Sequence, residues 1–329
     1  MSAEGRKKLK ANDYTVGIIC CLGIERTAMK FMLDEEHDRP PKLPGDKSVY
    51  IGGSIHGHNV VIASLPLGYT GTTPVGNVAH DMEHSFPSLK LRLLVGIGGG
   101  VPSDKVDIRL GDVVVSAPKD TYGGVVQYDY GRQKEGGFEL KGCLCPPPSE
   151  WLHVLTDIMS TQGVRQAHCQ NRITENISIL TKIGGLEHYN RPKVVDVLFE
   201  ASSHHVKEAK TCDGCDKRCI VPRSTRTNPD SPVVHCGLIA SGNRVMEHGL
   251  ERDRISKELG GVICFEMEAA GLMNEFRCIV IRGICDYADS HKQDIWQPYA
   301  AAVAAGFAKE LLSYIEVPAC MLTPPAYQA

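Results

Sequence analysis

Residues Leu91 to Gly100 read LRLLVGIGGG, and this decapeptide is the most informative stretch of the chain. Its first half, Leu91 to Val95, is short and mostly apolar, which is typical of a strand covered on both faces of a sheet. The second half, Gly96 to Gly100, is a glycine cluster, and a backbone without side chains lets another molecule approach closely. We therefore expect a buried strand whose carboxyl end forms a glycine-lined wall.

Short apolar runs on both sides of this decapeptide predict further strands. They lie at residues 14–22, 49–51, 59–64, 112–116, 233–240, 261–265 and 278–284. Helical patterns alternate with several of these runs, at residues 24–33, 77–86, 150–159, 269–276 and 299–314. Strands that alternate with helices predict a layered α/β domain whose central sheet is largely parallel.

We interpret the chain as one domain, because it shows neither an internal repeat nor a dividing linker. The expected boundaries are a disordered tail at residues 1–12, the domain at residues 13–316 and a C-terminal tail at residues 317–329. Within the domain, residues 123–148 are rich in Gly and Pro and predict a loop. An irregular insert is expected at about residues 202–232.

Composition excludes several classes of protein. The 329 residues include 36 Lys+Arg and 39 Asp+Glu, so the formal net charge of −3 offers no basic field for nucleic acid. No apolar run reaches the ~18 residues that span a bilayer, and the polar N-terminus does not resemble a signal peptide. The 13 cysteines are odd in number in a long chain, which favours reduced thiols in a cytoplasmic protein over a disulfide framework.

Acidic residues follow three of the predicted strands. Glu25 follows the first strand, Glu266 and Glu268 follow the strand at residues 261–265, and Asp286 follows the last strand. Ligands of α/β sheets gather at the carboxyl ends of the strands, so we expect these acids to share one pocket. Taken singly, each acid is equally typical of a helix start or a turn.

Common cofactor and catalytic motifs are not found in the sequence. A dinucleotide fingerprint requires G-x-G-x-x-G at the start of a helix; here Val101 replaces the third glycine and Pro102 follows. The patterns G-x-x-x-x-G-K-[ST], H-E-x-x-H and G-x-S-x-G do not occur. We expect no catalytic metal or organic cofactor, and the glycine wall remains suited to a flat or sugar-like ligand.

Six motifs, in order, resemble the nucleoside phosphorylase/nucleosidase superfamily. They are Val16-Gly17-Ile18-Ile19 with Glu25, Val95 to Gly100, Leu110 to Ser116, Ser241-Gly242-Asn243, Phe265 to Ala270 and Arg282 to Asp286. The resemblance covers about residues 13–316 and is greatest to the fungal branch, which occurs as free enzymes and as N-terminal domains of NLR-type receptors. It implies a three-layer fold in which helices flank a central mixed, largely parallel sheet. A receptor arrangement is not expected here, since no P-loop or repeat array follows the domain.

The resemblance implies cleavage of the N-glycosidic bond of a purine nucleoside. Asp286 would act as the acid at N7 of the purine, and Glu25 would orient the attacking water. Glu268 would hold the ribose hydroxyls, with Met267 beneath the sugar. An enclosed cluster of acids raises the pKa of at least one member, and we expect this effect to keep Asp286 protonated near neutral pH.

Further residues are expected around the substrate. By position in the motifs they are Glu266, Ile97, Gly98, Gly99, Asn243, Val245, Met246 and Cys285. Asn243 is a candidate hydrogen-bond partner of the base. Trp296 is expected either to close the base pocket or to anchor the last helix on the sheet.

The nucleophile is predicted to be water. Phosphorylases of the superfamily hold phosphate through Arg and Ser at positions where this chain has Leu94 and Ile97. Cys285 and Val245 replace a hydroxyl residue and a Phe of the methylthioadenosine enzymes, which favours ordinary purine nucleosides such as adenosine, inosine and guanosine. The alternatives are a phosphorylase, an AMP or ATP nucleosidase, with cations supplied by loops such as residues 223–226, and a non-catalytic nucleoside-binding sensor or storage module.

Two further expectations concern metal and assembly. Cys212, Cys215 and Cys219 have the spacing of zinc ligands, with His204, His205 or Cys236 as a fourth, although a reduced cysteine-rich loop is the alternative. Relatives are oligomeric, so a homodimer is expected.

Overall fold

The computed structural model describes residues 5–160, 164–207, 209 and 211–317. These residues contain twelve strands and six α-helices. The strands are β1 Val16–Cys20, β2 Glu35–Glu36, β3 Ile51–Ile55, β4 His58–Ser64, β5 Leu91–Gly100, β6 Val113–Ser116, β7 Val125–Gln127, β8 Gly131–Lys134, β9 Gly137–Leu140, β10 Val234–Ser241, β11 Val262–Glu266 and β12 Ile279–Asp286. The helices are α1 Gly23–Lys30, α2 Thr72–Ser85, α3 Ser149–Ser160, α4 Val164–Thr181, α5 Gly249–Glu258 and α6 Gln297–Ser313.

One mixed sheet organises the described residues. Its strand order is β11-β10-β6-β12-β5-β1-β4-β3-β2, with β7 beside β10. The central pairings of β1 with β4 and β5, of β5 with β12 and of β10 with its neighbours β6, β7 and β11 are parallel. The pairings of β12 with β6, of β11 with β5 and of β2, β3 and β4 among themselves are antiparallel. The prediction of a mixed, largely parallel sheet flanked by helices is therefore confirmed.

Strand β5 is longer than its apolar half and runs through the glycine cluster to Gly100. Its first residues pair with β1, whereas Gly99 and Gly100 pair with Phe265 and Cys264 of β11. Strands β5, β12, β6, β10 and β11 thus close into a ring. Closure brings the carboxyl ends of β5, β11 and β12 together.

Helix α6 packs on β12 and β5 and also contacts α1 and α4. Its run of small residues, AAAVAAG, is fully buried. A Cβ atom at Gly283 of β12 would overlap the backbone of Ala300. The close approach of helix and strand therefore requires glycine on one side and small residues on the other.

Three elements differ from the sequence prediction. The helix expected at residues 269–276 is only a short 3₁₀-helix, Ala269–Gly271, where Gly271 packs against the backbone of Thr72. The loop expected at residues 123–148 contains β7 and the β8–β9 hairpin. Helix α4 was not predicted, although Cys169, Ile173, Ile177 and Leu180 form a buried stripe at helical spacing.

The two ends of the chain are described only in part. The predicted N-terminal tail contacts the domain where it is described: Arg6 lies 3.1 Å from Glu36, and the Asp38 amide donates to the Lys7 carbonyl. The predicted C-terminal tail lies outside the described residues after residue 317. None of the helices within the described ranges has the length and apolar character needed to cross a membrane.

Candidate active site

A cavity opens where β5, β11 and β12 end beside the start of α1. Its lining includes all four predicted acids, Glu25, Glu266, Glu268 and Asp286. Each of these carboxyl groups belongs to a residue no more than 7% exposed. The ring of strands therefore brings together acids that are up to 261 positions apart in sequence, and it removes them from bulk water.

Glu25 lies in the first turn of α1 and is held by two backbone amides. Its Oε2 accepts a hydrogen bond of 2.8 Å from Leu22 N, which is the reach of a helix N3 glutamate back to the N-cap. Its Oε1 accepts a hydrogen bond of 2.8 Å from Ile97 N of β5. Burial raises the pKa of Glu25 to about 7, against the opposing effect of Arg282. Glu25 can therefore exchange a proton near neutral pH.

Arg282 is the central cation of the site and is fully buried on β12. Its Nη2 donates to the carboxylates of Glu266 and Glu268. Its Nη1 donates to the Ile97 carbonyl at 3.2 Å and lies 4.0 Å from Glu25 Oε1. One guanidinium thus offsets the charge of three buried acids.

Glu268 lies between Arg282 and the N-terminus of α2. Its Oε1 accepts a hydrogen bond of 3.1 Å from Gly71 N, the N-cap of α2, and its Oε2 lies 3.3 Å from Arg282 Nη2. Burial raises the pKa of Glu268, and the neighbouring Glu266 carboxylate adds to the rise. Glu266 is more fully engaged, because it also accepts hydrogen bonds from the amides of Glu268 and Ala269. Glu266 therefore positions Glu268 and Arg282.

Asp286 has different neighbours from those of the glutamates. Its Oδ1 accepts a hydrogen bond of 2.8 Å from Ala288 N. Its Oδ2 lies 3.7 Å from Lys292 Nζ and 3.3 Å from the Cys285 thiol. The expected rise in pKa within the acid cluster falls on Glu25 and Glu268. The Asp286 carboxyl group therefore faces an amide, an ammonium and a thiol, whereas the glutamates share the Arg282 guanidinium.

The glycine wall is explained by the groups packed against it. A Cβ atom at Gly96 would overlap the Glu25 carboxylate and the Arg282 guanidinium, and one at Gly99 would lie 2.6 Å from Asp286 Oδ1. Gly98, Gly99 and Ile97 all line the cavity. Glycine is therefore required at these positions to leave room for the acids and the guanidinium.

The structure places most of the other predicted residues on the cavity. Met267, Val245, Met246 and Cys285 line it, and Val245 is 53% exposed at its mouth.

Asn243 and Trp296 do not line this cavity. Asn243 Oδ1 instead accepts hydrogen bonds from the amide and hydroxyl of Thr72 at the start of α2. Trp296 is buried between Tyr299 and the Arg191 guanidinium, which lies 5.2 Å from its ring. This packing matches the anchoring role, and Trp296 also lines an adjoining cavity that shares Cys285, Asp286 and Lys292 with this one.

Sequence reasoning missed several lining residues. They are Cys21, Leu22, Thr70, Arg244, Phe265, Arg282, Ala288, Lys292 and Gln297. A signal existed for Arg282, since a charge inside the apolar run Ile279–Ile284 is rarely buried without a paired acid. Lys292 and Arg244 lie on irregular segments, where the sequence carries no periodicity that would orient them.

The arginines proposed to supply cations for a phosphate are engaged elsewhere. Arg223 lies 2.9 Å from Asp196, and Arg226 lies 2.7 Å from Asp112. Among the described residues that line the cavity, the basic side chains are Arg244, Arg282 and Lys292. Leu94 is buried within β5, so it offers nothing to a phosphate oxygen.

The predicted cysteine trio is only partly assembled. Cys212 and Cys215 share a cluster with His205, in which the ligand atoms all lie within 4.8 Å of one another. Cys219 lies outside this cluster. The twelve cysteines within the described ranges are all free thiols.

Solved structures share this fold. The 5'-methylthioadenosine/S-adenosylhomocysteine nucleosidase of Neisseria meningitidis superposes with a TM-score of 0.57 at 16% identity, covering 92% of this chain and 99% of that one. The futalosine hydrolase of Helicobacter pylori superposes with a TM-score of 0.53 at 16% identity, covering 92% and 98%. The chain therefore has the nucleoside phosphorylase/nucleosidase fold, which it shares with N-glycosidases, and the predicted resemblance is confirmed at the level of fold.

Sequence relatives are longer proteins. The chain is 42% identical to a nucleotide-binding leucine-rich repeat (NLR)-like protein of Hyaloscypha variabilis, a match that covers 99% of this chain and 31% of that protein. Over 95 residues it is 27% identical to a death domain-containing ATP nucleosidase of Amphimedon queenslandica, covering 27% of this chain and 18% of that protein. The chain thus spans about a third or less of these relatives. No protein-family model matches it.

Proposed function

We propose that the protein is a purine nucleosidase, which hydrolyses the N-glycosidic bond of a purine ribonucleoside to free base and ribose. The observation that carries this proposal is the convergence of Glu25, Glu268 and Asp286 on one glycine-walled cavity. Breaking a glycosidic bond generates positive charge on the sugar and negative charge on the departing base. Carboxylates on the sugar side and a proton donor on the base side are complementary to that transition state.

On the base side, Asp286 is the proposed acid at N7 of the purine. Ala288 N and Lys292 fix the orientation of its carboxyl group. The neighbouring Cys285 thiol, 3.3 Å from Asp286 Oδ2, takes the place of a hydroxyl donor.

On the sugar side, Glu25 and Glu268 are proposed to have different roles. Glu268, held by Gly71 N and Arg282, is proposed to accept hydrogen bonds from the ribose hydroxyls above Met267. Glu25, whose pKa of about 7 suits a group that accepts a proton near neutral pH, is proposed to orient and deprotonate water. Both roles use the buried carboxylates without a metal or cofactor.

Hydrolysis is favoured over phosphorolysis by the ion pairs that Arg282 already makes. Arg282 is committed to Glu25, Glu266 and Glu268, and a phosphate dianion beside those carboxylates would be repelled. Water bears no charge and is compatible with the site as it stands. The phosphorylase alternative is therefore the weaker one.

A second candidate is an AMP or ATP nucleosidase. Arg244 and Lys292 at the cavity are the cations that would face a 5′-phosphate, and the Amphimedon queenslandica relative is named as an ATP nucleosidase. This reading predicts that Arg244→Ala lowers kcat/KM for AMP by about tenfold while leaving that for adenosine unchanged, because a charge-assisted contact is lost only with the phosphate.

The deciding experiment is product chromatography after incubation with adenosine, inosine, guanosine, AMP or ATP, each with and without inorganic phosphate. Free base and ribose in phosphate-free buffer support a nucleosidase. Ribose 1-phosphate that forms only with phosphate would make it a phosphorylase. Intact substrates, together with measurable nucleoside binding, would favour the non-catalytic sensor or storage module.

Controls for this assay are Asp286→Asn and Glu310→Gln. Glu310 is a buried carboxyl remote from the cavity lining, so its substitution tests whether loss of a buried acid alone abolishes turnover. The homodimer expected from sequence is tested on the same preparation by sedimentation.

A further inference from the structure

His205, Cys212 and Cys215 of the predicted insert form a cluster of sulfur and imidazole groups, and Cys212 lies beside the backbone of His291 in the segment after Asp286. His205, Cys212 and Cys215 place one ligand atom each within 4.8 Å of one another. In a tetrahedral zinc site with Zn–S bonds of about 2.3 Å and Zn–N bonds of about 2.0 Å, ligand atoms are roughly 3.5–3.8 Å apart. The three ligand atoms therefore need to move only slightly closer to one another to bind one ion.

A second imidazole, that of His291, lies beside this cluster but outside the set of ligand atoms within 4.8 Å of one another. The His291 side chain is only 5% exposed, stacks on Phe199 with centroids 4.0 Å apart, and meets the His205 ring edge-on at 5.7 Å. Neither ring nitrogen of His291 has a hydrogen-bond partner among the described residues, although Nδ1 lies 3.7 Å from Asp289 Oδ1. A buried imidazole without hydrogen bonds is costly, and coordination of a metal would satisfy one nitrogen.

The hydrogen bonds made by Cys212 and His205 also fit a metal site. Gln293 Nε2 lies 2.8 Å from Cys212 Sγ, and the His205 amide donates to Ser290 Oγ. An amide that donates to sulfur is the kind of contact that stabilises a metal-bound thiolate. Thiolate and imidazole ligands together favour Zn²⁺ over hard cations such as Mg²⁺ or Ca²⁺.

We propose that His205, Cys212, Cys215 and His291 bind one structural Zn²⁺ ion, which fastens the insert to the segment that carries Lys292. Binding releases the two thiol protons, so two thiolates and two neutral imidazoles leave the complex with no net charge. Because Lys292 lies 3.7 Å from Asp286, the metal holds one wall of the active-site cavity in place. Its role is structural, and the reaction proceeds without it as a participant.

The test uses the full chain under reducing conditions. Metal content of the purified protein is measured by mass spectrometry, and the metal-free protein is then titrated with Co²⁺. We expect about one zinc per chain and, with Co²⁺, the strong d–d and thiolate charge-transfer bands of a tetrahedral site with sulfur ligands. Cys212→Ser and Cys215→Ser should abolish the charge-transfer band. His291→Ala should weaken Co²⁺ binding by more than about tenfold.

Cys219→Ser is the matched control, because Cys219 belongs to the same insert but lies outside the cluster. It should retain the Co²⁺ spectrum. Loss of the band in Cys219→Ser to the same extent as in Cys215→Ser would overturn the assignment, as would absence of Co²⁺ binding by the wild-type protein.

A measurement on the wild-type protein tests the proposal even if the variants fail to fold. Zn²⁺ added to the metal-free protein should protect Cys212, which is partly exposed, from alkylation, while the exposed Cys143 should react equally with and without metal. Equal reactivity of Cys212 in both states, or a disulfide between Cys212 and Cys215 in protein purified under reducing conditions, would contradict the proposal.

Discussion

The guanidinium of Arg282 and the carboxylate of Glu268 lie 3.3 Å apart in the interior of the protein. Both side chains are nearly inaccessible to solvent. The same guanidinium donates to Glu266 and to the Ile97 carbonyl. One buried cation thus links the acids of β11, the glycine strand β5 and, at 4.0 Å, the carboxylate of Glu25.

Replacing this cation should destabilise the whole protein. In Arg282→Met the buried carboxylates lose their partner, and removing one member of a buried ion pair costs about 3–5 kcal/mol. The free energy of unfolding, measured by urea denaturation, should fall by that amount. Arg254→Met is the control: Arg254 contacts Glu251 and Glu258 on the exposed surface of α5, where such pairs contribute about 1 kcal/mol or less. Equal losses in the two variants would contradict the central role of Arg282.

Stability should depend on pH through Glu25. Its pKa is about 7 in the folded protein and 4.5 as its ordinary value, so between these values the folded state binds more protons than the unfolded state. The stability that the protonated Glu25 contributes is therefore fully present below about pH 4.5 and is lost as pH rises through about 7. Glu25→Gln should reduce this fall, and its stability relative to wild type should improve by a few kcal/mol between pH 5 and pH 8.

The measurement is urea denaturation at several pH values. The exposed Glu150→Gln serves as control and should leave the pH dependence unchanged. A wild-type slope retained in Glu25→Gln would show that Glu25 does not titrate in this range.

Much of the fold was predictable because its signals are local. The runs at β1, β5, β10, β11 and β12 are mostly apolar, which is typical of buried parallel strands. The closure of β5 onto β11 was not predictable, because it depends on the bend of a glycine-rich strand end. Helix α4 was missed for a different reason: its buried stripe has only about one apolar residue per turn, and many of the residues between, such as His168 and Asn171, are polar and exposed.

Substitutions of the two proposed catalytic acids should respond differently to a change of leaving group in the substrate. Asp286→Asn removes the acid that assists departure of the purine, so kcat on adenosine should fall by about 10²–10⁴. On 4-nitrophenyl riboside, whose leaving group needs no proton, Asp286→Asn should retain nearly full activity. Glu25→Gln should lose activity on both substrates, because water must be oriented in either case.

Glu310→Gln controls for the removal of a buried carboxyl. It should alter stability, since burial raises the pKa of Glu310 as well, while both activities remain near those of wild type. Equal losses of Asp286→Asn on the two substrates would argue against the acid role.

Site residues were predictable where a motif placed them at the end of a strand. Glu25, Glu268 and Asp286 do meet in one cavity. Asn243 does not reach that cavity, because its side-chain oxygen caps α2 through Thr72, and such a contact between distant segments leaves no trace in local sequence. The same limit explains why the spacing of the cysteines pointed to Cys219, whereas the fold gathers His205 with Cys212 and Cys215.

The glycine at position 96 should matter more for catalysis than for folding. In Gly96→Ala the new methyl group would overlap the Glu25 carboxylate and the Arg282 guanidinium, and a displacement of about 1 Å of a catalytic group costs roughly 10²-fold in rate. We expect kcat to fall by about that factor, with a stability loss of about 1–3 kcal/mol from overpacking. Gly136→Ala is the control, because a Cβ atom there meets no atom within 4 Å, and both its kcat and its stability should stay near wild type. Wild-type kcat in Gly96→Ala would mean that Glu25 need not lie where the Ile97 amide holds it, and the assignment of the water to that carboxylate would fail.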